Sequence, residues 1–142
     1  VVTYFYTGRF GSASPQEART SSPDLSGAAV VAGFRAPNAA RWAFGRLTGD
    51  YNGIHMWDGY ARRFGFPASF MHPQRAVGLC LAHLKVEDAE QQSLTVWVNG
   101  PAFYGAEVAL VGSGNRHDRW FGLSVAGDSR QAIAGAWRSG AA

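Results

Sequence analysis

The segment Ala76-Val77-Gly78-Leu79-Cys80-Leu81-Ala82 is apolar at every position, and it lies inside a stretch from Pro73 to Leu84 with helical spacing. A helix that is apolar all round must be buried all round. Nothing in the chain approaches the length of a transmembrane span, so protein must supply the cover. The cover is written downstream. Leu94, Val96 and Val98 alternate with Thr95 and Trp97, and the pattern repeats at Val108 and Leu110, at Phe121, Leu123 and Val125, and from Ile133 to Trp137. Glycine-rich turns at Gly112-Ser113-Gly114-Asn115 and Gly127-Asp128 predict hairpins between neighbours. The simple packing solution is an α+β fold, a curved antiparallel β-sheet wrapped around one central buried helix.

The 142 residues suit one domain, and 46% hydrophobic content allows a proper core. The single cysteine, Cys80, excludes an internal disulfide and reads as a small core residue. A reducing cytoplasm is the expected compartment. No Cys and His cluster has metal-ligand spacing, so no structural metal is expected. The net charge is +3, and twelve of the thirteen basic residues are arginines. That balance permits a phosphorylated ligand or an acidic carrier. It is too weak and scattered to point to nucleic acid.

Upstream of the helix the chain reads as follows. Residues 1–27 hold a β-prone run, Val1 to Tyr6, and then a stretch rich in Ser, Pro, Gly and Ala that reads as loop. Ala28 to Phe34 is a strand candidate. Pro37-Asn38 opens a helix with Asn38 as its N-cap. That helix carries Trp42 and Phe44 and ends near Leu47-Thr48-Gly49. Asp58 to Phe64 fits one or two helical turns, broken by Phe66-Pro67.

Between those helices lies Thr48-Gly49-Asp50-Tyr51-Asn52-Gly53-Ile54-His55. A carboxylate and an imidazole on one tight loop can both be aimed at one water, which makes an acid–base pair. Taken one at a time, the residues have plainer readings. Gly49-Asp50 at a helix end also reads as a C-cap and turn. Asn52-Gly53 is a common turn dipeptide. His72 reads first as a structural residue at the helix start. Arg62, Arg63 and Arg75 read as solvated charges or as phosphate contacts.

The loop resembles the signature of the MaoC-like dehydratases and (R)-specific enoyl-CoA hydratases, roughly Ser/Thr-Gly-Asp-x-Asn-Pro-x-His. Thr48, Gly49, Asp50, Asn52 and His55 match it, and Gly53 stands where the family has proline. His72 stands where a His-Gly pair opens the family's central helix. Pro101-Ala-Phe-Tyr-Gly105 looks like a further Pro-x-x-x-Gly element on the second long strand. The likeness covers about residues 35–138. It implies a hotdog domain over 28–142. Residues 1–27 are then an extension or the end of a preceding hotdog. It also implies a homodimer or a double-hotdog partner.

The resemblance further implies that Asp50 and His55 hold a catalytic water, with Gly49 and Asn52 shaping the loop or orienting the water. The reaction implied is reversible hydration of trans-2-enoyl thioesters of CoA or acyl carrier protein, without cofactor or metal. Trp57, Tyr60, Phe64, Phe66 and Phe70 are candidates for the acyl tunnel, or for core. In the family the glycine after the helix-opening histidine offers its N–H to the thioester carbonyl. Here that residue is Pro73, which has no N–H to offer. Such a donor is worth about 3–4 kcal/mol. The N–H of Gln74 lies in the same first turn and is the available substitute. The departure keeps open a catalytically degenerate hotdog that binds acyl thioesters or stabilises a partner subunit. A hotdog thioesterase is a third reading.

Overall fold

The computed structural model describes residues 22–86, 91–128 and 130–140. Among these residues five strands form one antiparallel sheet: β1 (Ala29–Arg35), β2 (Gln92–Val98), β3 (Glu107–Gly114), β4 (Asp118–Val125) and β5 (Gln131–Ser139). Their order across the sheet is β1-β3-β4-β5-β2. The helices are α1 (Arg41–Thr48), α2 (Asp58–Arg63) and α3 (Pro73–Leu84), with a 3₁₀ turn at Gly53–His55. The fold is the expected α+β hotdog. Helix α3 touches β1, β4 and β5, and so lies across the sheet from one edge strand to the far side. Among the described residues no helix is long and apolar enough to cross a membrane.

The strand periodicity places the core. Leu110 and Leu123 face each other between β3 and β4, as do Leu123 and Ile133 between β4 and β5. All three are buried beneath α3, together with Phe121. Ala76, Val77, Cys80 and Leu84 form the face of α3 that packs on them. Burial pushes the Cys80 thiol up to about 12, so it is an inert core residue.

Several expectations need correcting. Helix α3 is not buried all round. Gln74, Gly78, Ala82 and His83 are exposed, because one five-stranded sheet covers only one side of it. Asn38 is not an N-cap. Helix α1 starts three residues later, after Ala40 in a left-handed conformation, and the Asn38 side chain accepts instead from the Arg41 guanidinium. Gly112 to Gly114 continue strand β3, and the hairpin turns at residues 115–117, where the Asn115 side chain accepts from the N–H groups of His117 and Asp118. Pro101 to Gly105 lie on the connection between β2 and β3, not on a strand. The strand expected at Val1 to Tyr6 lies outside the described residues.

Candidate active site

The site is assembled from the α1–α2 connection and the chain that enters α3. Helix α1 ends because Gly49 takes φ 75°, and its N–H closes on the Gly45 carbonyl. That left-handed position suits glycine. Two side-chain turns then set the loop. Asp50 Oδ1 accepts from the Asn52 N–H at 3.0 Å, and Asn52 Oδ1 accepts from the Ile54 N–H at 3.2 Å. The second of these caps the 3₁₀ turn that carries His55. Asn52 therefore shapes the loop, and Asp50 is held by one oxygen with Oδ2 turned towards His72, 3.9 Å from its Nε2.

Two glycines make room for this. A Cβ on Gly45 would fall 2.9 Å from the Asp50 carbonyl oxygen and 2.5 Å from Met56 Cε. A Cβ on Gly53 would fall 2.7 Å from the Tyr60 ring. The departure from the family's proline at Gly53 thus goes with an aromatic ring packed beneath the loop.

His55 and His72 are both buried, and their rings lie 4.2 Å apart between centroids. His55 Nδ1 lies 2.9 Å from the Phe70 carbonyl. A carbonyl only accepts, so Nδ1 carries the proton and Nε2 is left as the basic nitrogen. Burial, and secondarily the neighbouring His72, hold the His55 pKa below its ordinary value, against the opposing pull of the Phe70 carbonyl and Asp50. The ring is therefore neutral across the neutral range and can take a proton. His72 Nε2 donates to the Asp50 carbonyl at 3.1 Å, and Phe44 packs on its other side. Among the described residues no arginine pairs with Asp50, whose Oδ2 faces His72 instead.

Phe70 meets the His55 ring edge to face, packs at a tilt against Phe66 and stands edge-on to Phe103. The Met71 N–H donates to the Ala102 carbonyl, so the Pro101–Gly105 connection steadies the strand-like approach to α3. The other expected tunnel residues stand differently. Trp57, Tyr60 and Phe64 are 55%, 40% and 60% exposed, paired as Trp42–Trp57 and Tyr60–Phe64. They form an aromatic surface beside the loop. Gln74 is exposed in the first turn of α3, directly after Pro73. Arg62 donates to the Pro67 carbonyl and Arg75 to the Ala39 carbonyl.

Sequence reasoning missed a clasp around the loop. Buried Ser69 gives both its N–H and its hydroxyl to Asp58 Oδ1 and accepts from Arg41 at 2.8 Å. These bonds hold the Asp58 carboxyl below the usual carboxylate range. Arg41 also lies 4.1 Å over the Tyr104 ring. Asp58 and Arg41 open the two helices on either side of the loop, and Ser69 precedes the Phe70 carbonyl that fixes His55. The only signal was the charged residue at each helix start, which a single chain does not pair.

No protein-family model matches the chain, and no curated protein matches it in sequence. Solved structures do. HtdX from Mycobacterium tuberculosis is 19% identical, with a TM-score of 0.69 over 91% of this chain and 49% of that one. The (R)-hydratase from A. caviae involved in PHA biosynthesis is 16% identical, with a TM-score of 0.62 over 87% of this chain and all of that one. A MaoC-like dehydratase from Phytophthora capsici is 18% identical, with a TM-score of 0.64 over 94% of this chain and 45% of that one. The chain thus spans about half the length of the HtdX structures. At these identities the likeness shows the shared fold.

Proposed function

We propose that the chain is a MaoC-like hotdog hydro-lyase, adding water to trans-2-enoyl thioesters and removing it from (R)-3-hydroxyacyl thioesters. The hotdog unit is taken as residues 28–142. The observation that carries the reading is that Asp50 and the buried His55 bring one polar side-chain atom each within 4.8 Å of one another, with the His55 proton held on Nδ1 by the Phe70 carbonyl. The likeness in fold to an (R)-hydratase and a MaoC-like dehydratase supports it. A water between the two side chains loses a proton to one of them as its oxygen bonds to C3. The double-bond electrons move to the α-carbon, which then takes a proton. Dehydration runs the same path backwards. Phe70 and Phe66 offer the acyl chain an apolar wall. The CoA or carrier-protein thioester is the substrate class, and a second hotdog, in a homodimer or a longer chain, is the partner.

Pro73 favours a second reading, a hotdog that binds thioesters without turning them over, because the thioester carbonyl loses its usual backbone donor. One experiment separates the two. Short trans-2-enoyl-CoA is offered to the wild type and to Pro73→Gly, and loss of the conjugated thioester absorbance is followed. The hydratase reading expects turnover by the wild type and (R)-3-hydroxyacyl-CoA as product. Pro73→Gly should be faster, at a stability cost of about 1 kcal/mol, unless the Gln74 N–H already serves. Binding of CoA esters by both proteins with turnover by neither would establish the second reading.

A further inference from the structure

The chain keeps His55 and His72 far apart in sequence, and the fold brings them together with Asp50. One donor atom from each lies within 4.8 Å of the others. Each imidazole is backed by a backbone carbonyl, Phe70 for His55 and Asp50 for His72. The nitrogens left for an ion are then Nε2 of His55 and Nδ1 of His72. Metal-ligating histidines are oriented in this way, by donating one N–H to a carbonyl or carboxylate. On His72, which is fully buried, the second nitrogen, Nδ1, has no hydrogen-bond partner among the described residues. An unsatisfied buried acceptor carries a free-energy cost.

Two imidazoles and one carboxylate make a donor set suited to zinc and similar borderline divalent ions. Zinc ligands sit at about 2.0–2.2 Å from the ion, so the three donors must draw closer. Asp50 is the member able to move. It lies on a loop, and its side chain is 37% exposed.

We propose that Asp50, His55 and His72 form a binding site for a zinc-type divalent cation, which occupies the acid–base pair and blocks it. The ion competes for the lone pairs that would otherwise receive a proton from water. The cation site does not depend on the hydration reading, since it is built from the same atoms whatever the substrate; the block rests on that reading.

The test is calorimetric titration of chelator-treated protein with zinc alone, at a pH above the histidine range. Cobalt(II) serves as a second probe, because its visible spectrum reports ligand number. One ion per chain is expected. Asp50→Ala and His55→Gln should each weaken binding at least about tenfold, with thermal melts showing that both variants remain folded. No binding by the wild type overturns the proposal. So does equal binding by both variants, which would place the ion elsewhere, for example at His117 beside Asp118. A protein that binds zinc yet never hydrates an enoyl thioester would count against the proposed function and leave the cation site standing.

Discussion

His55 shows how a buried contact sets a residue's chemistry. Burial holds its pKa below the ordinary value of 6.5. The neutral ring is the active form of a base, so the acid limb of kcat/KM should fall below pH 6.5. A pH–rate profile of the wild type checks this, and a limb at or above pH 6.5 would contradict it. Stability follows the same sign. With the folded pKa depressed, the unfolded chain binds the proton first as pH drops. Stability is therefore full above pH 6.5 and declines as pH falls from there towards the folded value. At this scale it was legible that Asp50, Asn52 and His55 lie together on one short glycine-flanked loop, whereas a catalytic role for them rests on the resemblance. The Phe70 carbonyl was not, since a backbone contact between distant residues leaves no mark on side-chain identity.

The elements around the loop explain a substitution that the sequence could only record. Gly53 is flanked by its own 3₁₀ turn and by Tyr60 of α2, whose ring occupies the space a side chain would need. Restoring the family's residue with Gly53→Pro should therefore destabilise by about 1–3 kcal/mol, the usual cost of overpacking. Combined with Tyr60→Ala, the loss should be less than additive, because the two residues share one space. Denaturant melts of both single variants and the double variant measure this, and a neutral Gly53→Pro would refute the account. The Arg41–Ser69–Asp58 clasp belongs to the same scale. It ties both flanking helices to the segment before Phe70. Periodicity finds helices but not the polar bonds between them. The start of α1 was misplaced for a related reason. Asn38 is a good N-cap by type, but Arg41 claims its side chain.

For the whole molecule, α+β order and the central helix could be read from the sequence, because apolar period changes sharply between residues 73–84 and the strands that follow. The extent of burial could not, since that depends on what covers the second face. The single chain leaves Gly78 and Ala82 of α3 open, with Leu79 and Leu81 half-buried. Edge strand β2 leaves Leu94 and Val98 43% and 56% exposed. This apolar helix and edge surface is what the proposed second hotdog would cover. A dimer, or an intimate partner domain, is expected in sedimentation at micromolar concentration, and a stable monomer there would contradict it.

The central claim is that Asp50 and His55 act together on one water. The most direct measurement is kcat/KM for hydration of a short trans-2-enoyl-CoA by the wild type, Asp50→Asn and His55→Ala. Each substitution should lower it by at least about two orders of magnitude, the scale of a lost acid–base group. Wild-type turnover left unchanged by either substitution would contradict the claim.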